Sequence, residues 1–238
     1  MVDVLAVVAL VLMVGFDHEP GPYTMKQWKS DWTPAPFVVE AGKPTSKSRI
    51  KKIDGNSALE ITYSKGKFGG NSTAFWNIKF PPQECAVVSY HIMFDKKFDF
   101  VKGGKLPGLG GGTHNTGKKK PTGEDGFSIR TMWRRGGKMV NYVYHPNQPE
   151  NYGEDFGWRD NNGDDVLLKP GKWYTIQTKI NLNTPGLADG VIETRLSGAQ
   201  VFYGDDFEFR KTADLKLDTF LFQTFFGGDS KDWAPSKK

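Results

Sequence analysis

The sequence predicts an all-β protein, an antiparallel two-sheet β-jelly roll. Three observations carry this. Short runs rich in β-branched and aromatic residues recur along the chain, several with period-two alternation. Turn-forming residues separate them, with 28 Gly and 14 Pro among 238 residues. No strand–helix–strand alternation is visible, which argues against a parallel sheet.

Taken in order, Val4–Phe16 is an apolar run too short to span a bilayer, which needs about 20 residues. Its length fits a secretory signal over residues 1–16, although Asp3 stands where a basic residue is expected. An apolar first strand is the alternative. A turn-rich linker, Asp17–Pro22, follows, and residues 17–238 read as one domain. Short helices are expected at Thr24–Trp32 and Asp205–Lys211. The Lys- and Gly-rich stretch Glu40–Asn71 reads as a solvated edge. Strands are expected at Ala58–Tyr63, Ala74–Phe80, Ala86–Phe94, Phe127–Trp133, Met139–His145, Trp173–Leu182, Val191–Leu196, Gln200–Tyr203 and Leu217–Phe226. In Trp173–Leu182 one face is apolar, while the other carries Trp173, Gln177 and Lys179.

Composition narrows the partner. The net charge is +5 and aromatics make up 13%, which suits an anionic ligand: nucleic acid, acidic glycan or a membrane surface. No nucleic-acid motif appears. Cys85 is the only cysteine and is expected to be a buried small hydrophobe. With no paired metal-ligand motif among His18, His91, His114 and His145, neither metal nor cofactor is expected.

Two stretches carry chemistry. Phe98–Gly112 reads as a Gly-rich loop holding Lys105, without a phosphate-loop pattern. Downstream, His114 and Asn115 with Lys118-Lys119-Lys120 make a basic loop, which reads either as a solvated charge run or as the entrance of a cleft for a polyanion. The second stretch, Asp125–His145, reads as a hairpin. A three-residue loop, Arg135-Gly136-Gly137, sets Arg130 opposite Tyr142 and Ser128 opposite Tyr144. A two-residue turn would put the tyrosines on the other face, because a one-residue slip inverts every side chain. A guanidinium, a hydroxyl and two phenols on one surface need partners if buried, so a binding cleft is the simpler explanation.

That set suits β-elimination on a 4-linked polyuronate. Arg130 would neutralise the carboxylate, while Tyr or Lys supplies base and acid. Trp133 and Tyr152 would stack on sugar rings, and His145 and Lys179 would add polar contacts. Glycoside hydrolysis is disfavoured, because the hairpin carries no clear carboxylate pair.

The segment KGGKLPGLGGG, the FSIRTMWRRGG…VNYVYH hairpin and the LFQTFFGGDSKDWAPSK stretch resemble polysaccharide lyase family 14, the alginate and glucuronan-type lyases of molluscs and algal viruses. A weaker likeness is to the glucuronan lyases of family 20. The resemblance covers roughly Tyr23 to the C-terminus. It implies a concave substrate-binding sheet, Lys105 as the essential lysine, Ser128 and Arg130 as the S-x-R pair, and Tyr142 and Tyr144 as the proton-transferring Y-x-Y pair. It also implies one more strand after WAPSK, and cysteines near the loop that this chain lacks. The expectation is a secreted, monomeric, metal-independent lyase acting on alginate with mannuronate preference, Tyr144 being the base with Lys105 or Tyr142 assisting. The alternatives are a glucuronan lyase of the same fold and a non-catalytic jelly roll that only binds acidic glycans.

Overall fold

A computed structural model describes residues 10–70 and 73–236. It contains fourteen strands and one α-helix: β1 (Gly21–Pro22), α1 (Met25–Trp32), β2 (Val38–Lys43), β3 (Ser48–Ile53), β4 (Asn56–Ile61), β5 (Ala74–Gln83), β6 (Cys85–Met93), β7 (Gly103–Gly112), β8 (Gly126–Arg134), β9 (Met139–Tyr144), β10 (Glu154–Gly157), β11 (Trp173–Asn181), β12 (Gly190–Leu196), β13 (Ala199–Phe207) and β14 (Leu217–Phe226). A seven-stranded sheet runs β10-β9-β8-β7-β14-β5-β2 and a four-stranded sheet runs β13-β12-β11-β6. All pairings are antiparallel. This is the jelly-roll sandwich the strand pattern predicts. A small third sheet, β1-β3-β4, is added to it.

The core lies between the two large sheets because each strand turns alternate residues inward. Ile129 and Val143 from the large sheet meet Ile180 and Ile192 from the small one. Trp133, Met139 and Phe226 meet Tyr174 and Ile176 at the other end. A further cluster lies under α1, where Trp28 and Trp32 pack with Trp76. The helix starts at a capping box: the Thr24 hydroxyl accepts from Gln27 N–H, and the Gln27 side chain accepts from Thr24 N–H.

Several expectations need correction. Asp205–Lys211 is not a helix: β13 runs to Phe207, and Phe207 and Phe209 are buried at period two. Period-two burial of aromatics overrides the weak helical pattern. Asn71 lies outside the described residues; residues 40–70 are more than a solvated edge, since they hold most of β2 and all of β3 and β4, although Lys51 and Lys52 do face solvent. Cys85 opens an edge strand and is exposed rather than buried. Of the N-terminal apolar run, residues 1–9 lie outside the described residues. In residues 10–16, Leu10, Leu12, Val14 and Phe16 pack against the helix cluster, while Val11 and Met13 face outward. No helix among the described residues is long and apolar enough to cross a membrane.

The largest departure is the Gly-rich stretch. Gly103–Gly112 is not a loop but a central strand of the large sheet, between β8 and β14. Glycine and proline have low strand propensity, which hid it. Tertiary pairing on both sides overrides that propensity.

Candidate active site

The face of the large sheet turned away from the core carries the polar cluster. Its geometry begins with the hairpin. Arg134 N–H donates to Lys138 O at 2.7 Å, closing a three-residue loop, Arg135–Gly137. Gly136 and Gly137 have φ of 68° and 84°, values that favour glycine. The odd loop sets the register, with Arg130 opposite Tyr142 and Ser128 opposite Tyr144. Of the two loop lengths that the sequence leaves open, the three-residue one is present. Ser128, Arg130, Met132, Tyr142 and Tyr144 therefore share one face.

Lys105 joins them through a β-bulge. On β7, Lys105 pairs with Met132 and Gly108 with Arg130, so Leu106 and Pro107 together oppose the single residue Thr131. The extra residue places both Lys105 and Gly108 on the site face while Leu106 and Leu109 point into the core. It also accommodates Pro107, which has no N–H for a central ladder.

Lys105 Nζ lies 3.2 Å from the centroid of the Tyr142 ring and donates to Met132 Sδ at 2.7 Å. A thioether is a weak acceptor and carries no charge. Burial, together with the nearby Arg130 and Arg134 charges, holds the Lys105 ammonium well below the ordinary lysine range; Asp155 opposes this only partly. Burial pushes the Tyr142 phenol up, as does Tyr144, against the pull of Arg130 and Arg134. The Arg130 guanidinium is 2% exposed and lies 6.0 and 5.8 Å from the Tyr142 and Tyr144 rings. Burial works against its charge, yet a guanidinium stays protonated. The site thus combines a lysine biased toward free amine, a phenol biased toward retaining its proton and a fixed cation.

The surroundings hold these groups in place. Tyr144 OH accepts from Gly117 N–H at 2.8 Å, and Ser128 Oγ donates to Asn115 O at 2.8 Å, pinning the 113–118 loop over the hairpin. Arg134 donates from Nε to Asp155 Oδ2 at 2.7 Å, and its guanidinium lies 5.4 Å from the centroid of the Tyr142 ring and 5.8 Å from that of Trp233. His114 Nε2 contacts Glu40 Oε2 at 2.9 Å on the same face. Lys118, next to Gly117, reaches over the Tyr152 ring.

Four residues expected to touch substrate are placed elsewhere. Trp133 is fully buried in the core and donates to Phe100 O, because it alternates out of phase with Arg130. His145 is out of phase with Tyr144 in the same way: it packs near Phe156 and Phe207 and contacts Glu154. Asn115 is buried, its amide donating to Asp125 Oδ2 and accepting from Thr113, so it shapes the loop from within. Lys179 lies on β11, on the outer face of the opposite sheet. Sequence reading gave no role to Met132, Arg134, Gln223, Asn77 or Glu40. The signal for Gln223 is its isolation as an amide within the apolar strand LFQTFF.

A buried amine, a phenol and a guanidinium are thus gathered on one face of the large sheet, the face turned away from the core. The sequence profile of Polysaccharide lyase 14 matches residues 51–238, and the chain belongs to that family; it is a polysaccharide lyase. Solved structures with the same fold include alginate lyase Aly36B, at TM-score 0.82 and 23% identity over 94% of this chain and 90% of that one. The marine PL-14 alginate lyase from Aplysia kurodai matches at TM-score 0.74 and 23% identity, over 92% and 91%. Alginate lyase vAL-1 from Chlorella virus matches at TM-score 0.65 and 23% identity, over 81% and 84%. Among curated proteins, none matches the sequence.

Proposed function

We propose that the enzyme cleaves a 4-linked polyuronate by β-elimination, with alginate as substrate and mannuronate blocks preferred. The observation that carries this is the placing of Lys105, Arg130 and Tyr142 together on one sheet face. Arg130 binds the C6 carboxylate and, by neutralising it, acidifies the C5 proton. Lys105, biased toward its free amine, removes that proton. The electron pair forms the C4–C5 double bond as the C4–O4 bond breaks. Tyr142 gives its proton to the departing O4. This moves the base from Tyr144, the sequence-based choice, to Lys105, whose buried amine is biased toward its free form on the same face as Arg130 and Tyr142. Met132 holds the amine, and Tyr144 supports Tyr142.

The choice of alginate is supported by the family and by the alginate lyases that share the fold, two structures of which contain alginate tri- and tetrasaccharides. The fixed charge of Arg130 supplies what a metal ion would otherwise provide, so activity should survive a chelator.

The test is incubation with polymannuronate, polyguluronate and glucuronan, following the ultraviolet absorbance of an unsaturated uronate. The expected rise is fastest on polymannuronate. A faster rise on glucuronan transfers the assignment to that polymer, and no rise on any polyuronate overturns the reading.

A further inference from the structure

Arg130 does not end at its own strand. Its side chain crosses β7 at Gly108, where an added Cβ would lie 2.9 Å from Arg130 Cγ and 2.1 Å from Ile129 O. Only a bare backbone leaves that path open. Beyond it, Nη1 donates to Gln223 Oε1 at 2.9 Å. With its oxygen so used, Gln223 turns its nitrogen outward, and Nε2 donates to Asn77 Oδ1 at 2.9 Å. Asn77 Nδ2 in turn donates to Glu40 Oε2 at 3.2 Å. Gln223 and Asn77 are both nearly fully buried. Glu40 is the extra residue of a bulge in β2, between Val39 and Ala41. Burial alone would raise its carboxyl, but His114 and Lys79 outweigh that and hold it ionised.

The chain therefore runs from guanidinium through two amides to carboxylate, each amide oxygen facing the cation and each nitrogen facing the anion. We propose that Gln223, Asn77 and Glu40 are a positioning relay that fixes the orientation of Arg130 while keeping its charge free for the substrate carboxylate. A carboxylate placed directly on Arg130 would orient it more strongly, but it would take up the donors and cancel the charge the reaction needs. An amide orients by hydrogen bonding without carrying charge. Arg130 Nε fits this division: it is buried and has no partner in the structure, a donor that a bound carboxylate would satisfy. The relay rests on the reading of Arg130 as the carboxylate receptor.

The test uses the full chain with Gln223→Glu, an isosteric change that seats a carboxylate on Arg130. The expected result is a KM for polyuronate raised at least tenfold, a smaller change in kcat and a thermal midpoint equal to or above wild type. Gln223→Met, similar in length but without the hydrogen bond, should instead lower kcat with the fold retained. Wild-type KM and kcat in both variants would overturn the relay, and if Gln223→Glu fails to fold, wild-type kinetics in Gln223→Met alone would do so. The wild-type enzyme in the same assay separates the two levels. A wild type inactive on every polyuronate sinks the reading of Arg130 and the relay with it, whereas an active wild type beside unaltered variants sinks the relay alone.

Discussion

Lys105 is where the proposed proton transfer and stability pull in opposite directions. Its amine is buried against a ring and a thioether, with two guanidinium groups nearby and, among the described residues, no carboxylate bonded to it. The unfolded chain, with an ordinary lysine titrating at about 10.4, binds more protons than the folded one between the two values. Folding stability therefore rises with pH across that window. Lys105→Met should raise the thermal midpoint at neutral pH, with a gain that shrinks as pH approaches the ordinary lysine value; denaturation of both proteins across pH checks this. The same substitution should reduce kcat by about 100- to 10,000-fold, the usual range for a lost proton-transfer group. In the wild type, the rising limb of kcat/KM should lie well below the ordinary lysine value and the falling limb above the ordinary phenol value of about 10, since Tyr142 is shifted upward. Tyr142→Phe should then leave the rising limb in place while cutting kcat.

At the scale of the element, β7 and the β8–β9 hairpin do different work. The hairpin was legible in the sequence because its alternation is strong and its loop holds two glycines; its register was not, since two- and three-residue loops were both open and only the three-residue loop present fixes it. Strand β7 was not legible, since its glycines reflect close approach by side chains from neighbouring strands, which local propensity does not record. Gly108→Ala should cut activity steeply by displacing Arg130, more than its cost in thermal midpoint would suggest; a melting curve beside an activity assay separates the two. Trp133 and His145 were misplaced for a related reason. Both are residue types that bind sugars elsewhere, but alternation sends them inward, and position in the pleat outranks side-chain chemistry. Gln223 and Asn77 come from strands distant in sequence from the hairpin, so only the pairing of β14 with β5 reveals their contact.

For the whole molecule, the sandwich divides labour by face. One large sheet packs inward on a smaller one, and its other face carries the cluster of Lys105, Arg130 and Tyr142. Lys179 illustrates the limit of reading charge from sequence: it is a basic residue on a polar strand face, but that face belongs to the other sheet. The net charge of +5 would act at longer range, drawing the proposed polyuronate toward the protein. Raising ionic strength should therefore increase KM for the polymer while leaving kcat nearly constant, because screening weakens encounter more than chemistry at a buried site. A kcat that falls in parallel with rising KM would contradict that division.

The bulge at Leu106-Pro107 makes the sheet behave like a reading frame. Everything in β7 before it faces the way it does only because one surplus residue has been counted. Deleting that residue would not trim the strand locally. It would invert the stretch from Gly103 to Lys105, sending the amine toward the phenylalanines and indole beneath and exposing backbone where the amine had been. Deletion variants at this point should be lost to folding, while substitutions at the same position that leave the count unchanged should still fold.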